Sequence, residues 1–230
     1  MKDVLLITYV HFWRPGAGHK TKISHLVTFL AKHVNLTVAF VLPLHPQEDD
    51  ILAIEKNYSI RMLPLIKNEG ESFLVLCKRL TEFVSVNKVH CCIVEFIQLS
   101  FFLKYLPSEI IKILDTHDIQ NNKVASYKQF NYNVSSMSIE VEIGMYNLYD
   151  YVMSICDPDY NQLVKLVPEN KIINVLHAPS VYNTHVKKSV ETIGFVGNAF
   201  FPNIDGIKHF MEECWNDLLL KFPNLNLNIL

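Results

Sequence analysis

Four features of this chain have residue types and spacings suited to chemistry on a polar or anionic ligand. The first is the run Leu114-Asp115-Thr116-His117-Asp118, in which two carboxylates flank an imidazole directly after an apolar stretch. A neighbouring carboxylate sets a histidine's tautomer and basicity, which suits general acid–base work or a hydrogen bond to a sugar hydroxyl. Asp118 is also placed to N-cap a following helix. The second is Arg14-Pro15-Gly16-Ala17-Gly18-His19-Lys20-Thr21, which leads into a helical pattern. Gly16 and Gly18 permit close backbone approach, and a helix start offers N–H groups to an anion. Its spacing is neither that of a phosphate-binding loop ending in Lys-Ser/Thr nor that of a dinucleotide fingerprint. The third is Gly197-Asn198-Ala199-Phe200-Phe201-Pro202-Asn203, a turn whose amides could face a diphosphate as a helix opens. The fourth is Glu95, a carboxylate that closes an apolar run and could bind a hydroxyl.

For these residues to act, strands must carry them to one edge of a sheet. The chain alternates apolar strand-like runs with helical patterns. Strands are expected at Val4–Thr8, Leu36–Val41, Ser59–Leu63, Val89–Glu95, Ile110–Leu114, Tyr151–Ile155 and Lys171–Leu176. Helices are expected at Thr21–His33, His45–Asn57, Ser72–Val86, Phe101–Leu106, Ser135–Tyr149 and Pro158–Val167. Near-continuous apolar strands separated by helices indicate an α/β fold with a doubly wound parallel sheet, covered on both faces. In such sheets ligands bind beyond the carboxyl ends of the strands. Segments 9–19, 95–100, 115–120 and 197–203 all fall there. The polar stretch 178–190 reads as a linker, giving a first domain over 1–180, a linker over 181–190 and a second unit over 191–230. That second unit reads as strand, helix, strand, the opening of another nucleotide-type domain that is incomplete at Leu230.

Composition narrows the function classes. Half of the 230 residues are hydrophobic, enough for one full core and part of another. The net charge of −2 comes with no basic patch, which argues against nucleic acid as a ligand. Five cysteines (Cys77, Cys91, Cys92, Cys156 and Cys214) lack Cys-x-x-Cys spacing and read as reduced thiols of a cytoplasmic protein. The histidines show no metal-ligand spacing, so no metal is expected. No apolar run reaches the ~20 residues needed to span a bilayer.

The order of these features resembles the two-Rossmann-domain (GT-B) glycosyltransferases, specifically the glycosyltransferase family 4 (group 1) type. The resemblance is carried by the glycine-containing first loop, the strand ending in Glu95, the ILDTHD segment, PENKIINV, and GFVGNAFFPNIDGIKHF. It implies a first domain that binds the acceptor and a second that binds a nucleoside-diphosphate sugar. It further implies retaining, metal-independent transfer to a glycan or lipid-linked acceptor, with possible peripheral membrane contact. His117 would match the family's histidine near the transferred sugar. Gly16 and Gly18 would approach the donor phosphates or the acceptor, and Gly197, Asn198 and Asn203 the donor diphosphate; Glu95, Asp115 and Asp118, read from their own places at strand ends, are expected in donor or acceptor binding beside them. No cofactor is implied beyond the nucleotide sugar as substrate. The family's late pair of glutamates, eight positions apart, has no counterpart among the glutamates of this chain. The alternative is a non-catalytic module that binds a glycan or a protein through the same strand edge. An epimerase of the Tyr-x-x-x-Lys kind is disfavoured by its missing motif.

Overall fold

The computed structural model describes residues 1–41, 50–132, 137–176 and 191–230. The chain divides into two compact units, Met1–Ala178 and Pro179–Leu230. The linker expected over 181–190 lies outside the described residues.

The first unit holds seven strands: β1 (Asp3–Thr8), β2 (Asn35–Phe40), β3 (Arg61–Pro64), β4 (Cys91–Glu95), β5 (Ile111–Asp115), β6 (Tyr151–Ser154) and β7 (Ile172–Asn174). Every pairing is parallel, and the order across the sheet is β3-β2-β1-β4-β5-β6-β7. The winding direction therefore reverses between β1 and β4. Along β1, successive residues enter opposite cores. Leu5 and Ile7 pack with Leu76, Leu80, Val94 and Leu114. Val4 and Leu6 pack with Ile23, Val27, Val38 and Phe40 on the other face. Both faces are dry, which is why the strands read as continuous apolar runs rather than as alternating patterns.

The helices are α1 (Gly18–Leu30), α2 (Ile51–Tyr58), α3 (Leu74–Val86), α4 (Gln120–Gln129), α5 (Ile139–Tyr146) and α6 (Asp157–Leu163). Three of these and one 3-10 helix differ from the sequence expectation for local reasons, and α4 has no counterpart among the expected helices. α1 begins three residues before the expected Thr21, because Gly18 opens it directly after the loop. The helix expected over 45–57 is α2, whose start is set by Asp50 accepting from the Ala53 N–H, while residues 42–49 lie outside the described set. The helix expected from Ser135 starts at Ile139, where Ser138 caps the Val141 N–H. Ile97–Tyr105 is a nine-residue 3-10 helix where only a short helix from Phe101 was expected.

The second unit is a β-α-β arrangement. β8 (Thr192–Phe195) pairs in parallel with β9 (Asn226–Ile229), in register from Thr192↔Asn226 to Phe195↔Ile229. Between them run α7 (Phe201–Phe210), a five-residue π segment (Met211–Trp215) and α8 (Asn216–Lys221). Among the described residues, no helix is long and apolar enough to cross a membrane.

Candidate functional site at the carboxyl edge of the sheet

The winding reverses between β1 and β4, and doubly wound sheets place ligands at the carboxyl ends of the strands beside such a reversal. Three polar residues close the strands there: Thr8 on β1, Glu95 on β4 and Asp115 on β5, each with zero exposure. Glu95 and Asp115 are register partners, so two carboxylates sit side by side in the core. Such a pair needs compensation, because an unpartnered buried charge is strongly disfavoured.

Lys22 and His117 provide the partners. Lys22, one turn into α1 and only 8% exposed, hydrogen-bonds both oxygens of Asp115. His117 Nε2 lies 2.5 Å from Glu95 Oε2. Burial, and then the charge of Asp115, push the Glu95 carboxyl above the ordinary carboxylate range, against the hydrogen bond and charge of His117 and the charge of Lys22. The other oxygen, Glu95 Oε1, is buried without a hydrogen-bond partner. Glu95 and Asp115, expected as ligand-binding residues, thus face His117 and Lys22 rather than solvent.

His117 sits in a tight, unusual turn. The Asp118 N–H donates to the Thr116 carbonyl at 2.7 Å, and His117 itself has φ +56°. The Thr116 hydroxyl ties the turn to β6 by donating to the Met153 carbonyl at 3.0 Å. The imidazole stacks on Phe96, with centroids 4.0 Å apart and planes 10° apart. Phe96 also has a positive φ, +71° with ψ 134°, a region that bulky residues rarely occupy. Tyr9 stacks on Phe96 at 5.1 Å, and His19 meets it edge-on at 6.2 Å. Burial lowers the basicity of His19, and the nearby charges of His117, Lys20 and Lys123 lower it further.

Asp118 does not cap the following helix. The first residue before α4 is Ile119, and the cap comes from another helix. Glu142 of α5, with zero exposure, accepts from the backbone N–H groups of Gln120 at 2.6 Å and Asn121 at 3.0 Å. It also accepts from Asn121 Nδ2 and from the Tyr146 hydroxyl. An internal carboxylate therefore fills the anion-accepting start of α4. Asp118 instead accepts from Lys123 Nζ at 2.7 Å, near the surface. Burial disfavours the Lys123 charge, yet the Asp118 hydrogen bond and charge raise it overall.

The first loop reaches this centre through three residues. Tyr9 and His19 touch Phe96, and Lys22 touches Asp115. Gly16 has φ +127°, a conformation that side-chain-bearing residues avoid, and its would-be Cβ meets only Lys20 Nζ at 3.9 Å. Gly18 opens α1 with free space beside its Cα. The remaining candidates, Gly197, Asn198 and Asn203, belong to the second unit. There Asn203 Nδ2 donates to Asn198 Oδ1 at 2.9 Å and to its carbonyl at 3.2 Å. A Cβ on Gly197 would lie 3.0 Å from the Phe195 ring and 3.3 Å from Asn203 Cβ, so close packing requires glycine.

Glu95, Asp115 and His117 bring three potential ligand atoms within 4.8 Å of one another, a cluster that spacing alone did not foretell. Lys22 already places its ammonium on Asp115, on the oxygens a divalent cation would use. Lys22, Phe96 and Glu142 also build this centre, and none of them stood out in the sequence. Only Lys22 carried a hint, a cation next to the apolar Ile23 of α1.

No protein-family model and no curated protein matches the sequence. Similarity appears in the fold. A lipopolysaccharide outer core galactosyltransferase, WaaB in its apo form, superposes with TM-score 0.58 at 14% identity, over 87% of this chain and 54% of that one. Anabaena HepE, solved in complex with UDP-glucose, gives TM-score 0.61 at 10% identity over 100% of this chain and 69% of its own. A putative UDP-N-acetylglucosamine 2-epimerase from Listeria monocytogenes gives 0.54 at 11% identity over 100% and 62%. The chain thus spans roughly half to two-thirds of the structures it resembles. Its first unit, a seven-stranded parallel sheet with flanking helices, has the Rossmann-like architecture of the GT-B glycosyltransferases.

Proposed function

We propose that this chain carries the acceptor side, and elements of the donor side, of a glycosyltransferase. It moves a hexose from a nucleoside-diphosphate sugar to a glycan or lipid-linked acceptor. The observation that carries the reading is His117. A strained, fully supported imidazole stands at the winding reversal of the sheet, beside a glycine loop and the start of α1. Strain held at one place by a hydrogen bond, a stack and an anchored turn is a mark of a working site. The fold likeness to WaaB and to the UDP-glucose complex of HepE supports a nucleotide sugar as donor.

In this reading His117 binds the transferred sugar and stabilises charge as the glycosidic bond to the diphosphate breaks. The glycine loop admits the substrate's polar groups to the backbone. Asp118 and Lys123, exposed beside His117, meet sugar hydroxyls. Gly197, Asn198 and Asn203 bind diphosphate. Transfer proceeds with retention and without a bound metal, and Lys22 supplies the local positive charge that a divalent ion would otherwise bring to Asp115.

The test is release of nucleoside diphosphate from a panel of UDP- and GDP-hexoses in the presence of glycan and lipid-linked acceptors. Product anomers are read by proton NMR. Transfer with retained anomeric configuration, abolished by His117→Ala, is expected. Transfer unchanged in His117→Ala would remove that residue from the mechanism, and inversion would remove the family 4 type.

A further inference from the structure

Two consecutive residues of β4 and its exit grip the same imidazole. Glu95 bonds the ring edge at Nε2, and Phe96 stacks on the ring face. In a regular strand, neighbouring side chains point to opposite sides of the sheet. They cannot both reach one ring. The positive φ of Phe96 breaks that alternation and turns its side chain onto the imidazole that Glu95 already holds.

The grip leaves one ring atom for a ligand. With Nε2 committed to Glu95, Nδ1 has no hydrogen-bond partner among the described residues. Two other charged groups near the ring, Asp118 and Lys123, pair with each other, and His19 stands across Phe96.

We infer that Glu95 and Phe96 are positioning residues that fix the plane of His117 and commit Nε2 to Glu95, so that Nδ1 is the ring nitrogen left to meet a polar atom of the bound substrate. The identity of that atom as one of a sugar or a phosphate rests on the proposed transferase reading. The clamp itself does not.

Long-range proton–nitrogen NMR of the 15N-labelled chain at neutral pH tests it, with the His117 signals assigned by their loss in His117→Gln. The expected spectrum shows the ring held in one tautomer by Glu95. Ring nitrogens at a tautomer-averaged position would overturn the inference. Two variants separate the clamp from simple packing. Phe96→Gly tolerates the positive φ, so the Glu95 bond and the single tautomer persist although the stack is gone. Phe96→Ala does not favour that φ and relaxes toward a regular strand, so the Glu95 bond is lost and the ring nitrogens move to a tautomer-averaged position. Identical spectra for the two variants would show that Phe96 acts only as packing. Should Phe96→Ala fail to fold, the wild-type and Phe96→Gly spectra still decide, since both must show the single tautomer. No activity is read here, so the clamp can fail while the transferase reading stands, and the reverse.

Discussion

The ammonium of Lys22 bridges both carboxylate oxygens of Asp115 across 93 positions of sequence, and this buried pair joins α1 to the end of β5. It ties the glycine loop, which runs into α1, to the strand that delivers His117. Breaking one side of a buried pair leaves the other charge without a partner, at a cost of about 3–5 kcal/mol. Lys22→Met is therefore expected to lower stability by about that amount in urea unfolding. The double variant Lys22→Met with Asp115→Asn, which removes both charges, should recover a large part of it. A single variant as stable as the wild type would show that the pair carries no such role.

Glu142 makes a separate prediction. It serves as the internal anion for α4, accepting from the Gln120 and Asn121 N–H groups. Glu142→Gln keeps one acceptor oxygen and loses the other. Buried donors left unsatisfied cost about 1–3 kcal/mol. Hydrogen exchange should quicken at the amides of Gln120 and Asn121 before it quickens in β1 or β4. Unchanged protection at those amides would mean that water or another group caps the helix.

These two residues also show what the sequence could and could not convey. The strands were legible because both faces of the sheet are buried, so Val4–Ile7 and Cys91–Val94 are apolar throughout. His117 was legible because its neighbours combine a strand end with paired carboxylates. α4 was not separately legible, since QNNKVASYKQ buries only Val124 and has no apolar stripe to set a helical period. Its helicity depends on Glu142, a tertiary contact from 21 residues away. Glu95 and Asp115 read as ligand-facing because strand ends usually meet the crevice. That they turn inward depends on Lys22 and His117 arriving beside them, which no local pattern encodes. The positive φ of Phe96 left no trace either, because that conformation is normally marked by glycine.

Alkaline pH should weaken the fold. Burial, and then the charge of Asp150, raise the Cys91 thiol from 9.0 to about 11. In the unfolded chain that thiol loses its proton near pH 9, whereas the folded one keeps it until about 11. Between those values the unfolded state binds fewer protons, so stability falls as pH rises, by up to about 1.4 kcal/mol per pH unit for one group. Burial also raises the hydroxyls of Tyr146 and Tyr149 and the thiol of Cys92, which steepens the same trend. Cys91→Ala should flatten the pH 9–11 limb of a thermal-melting profile by its share. An unaltered slope would contradict a proton held by burial at this position.

If a sugar of a nucleotide-activated donor meets His117 at the carboxyl edge of the sheet, titrating the 15N-labelled chain with UDP-glucose and a panel of other nucleoside-diphosphate hexoses will show it. For at least one donor, shifts are expected at the His117 ring and at the Gly16 and Gly18 amides, with the His117→Ala variant binding more weakly by tenfold or more, about 1.4 kcal/mol. Shifts confined to other parts of the chain, or none across the whole panel, would contradict it.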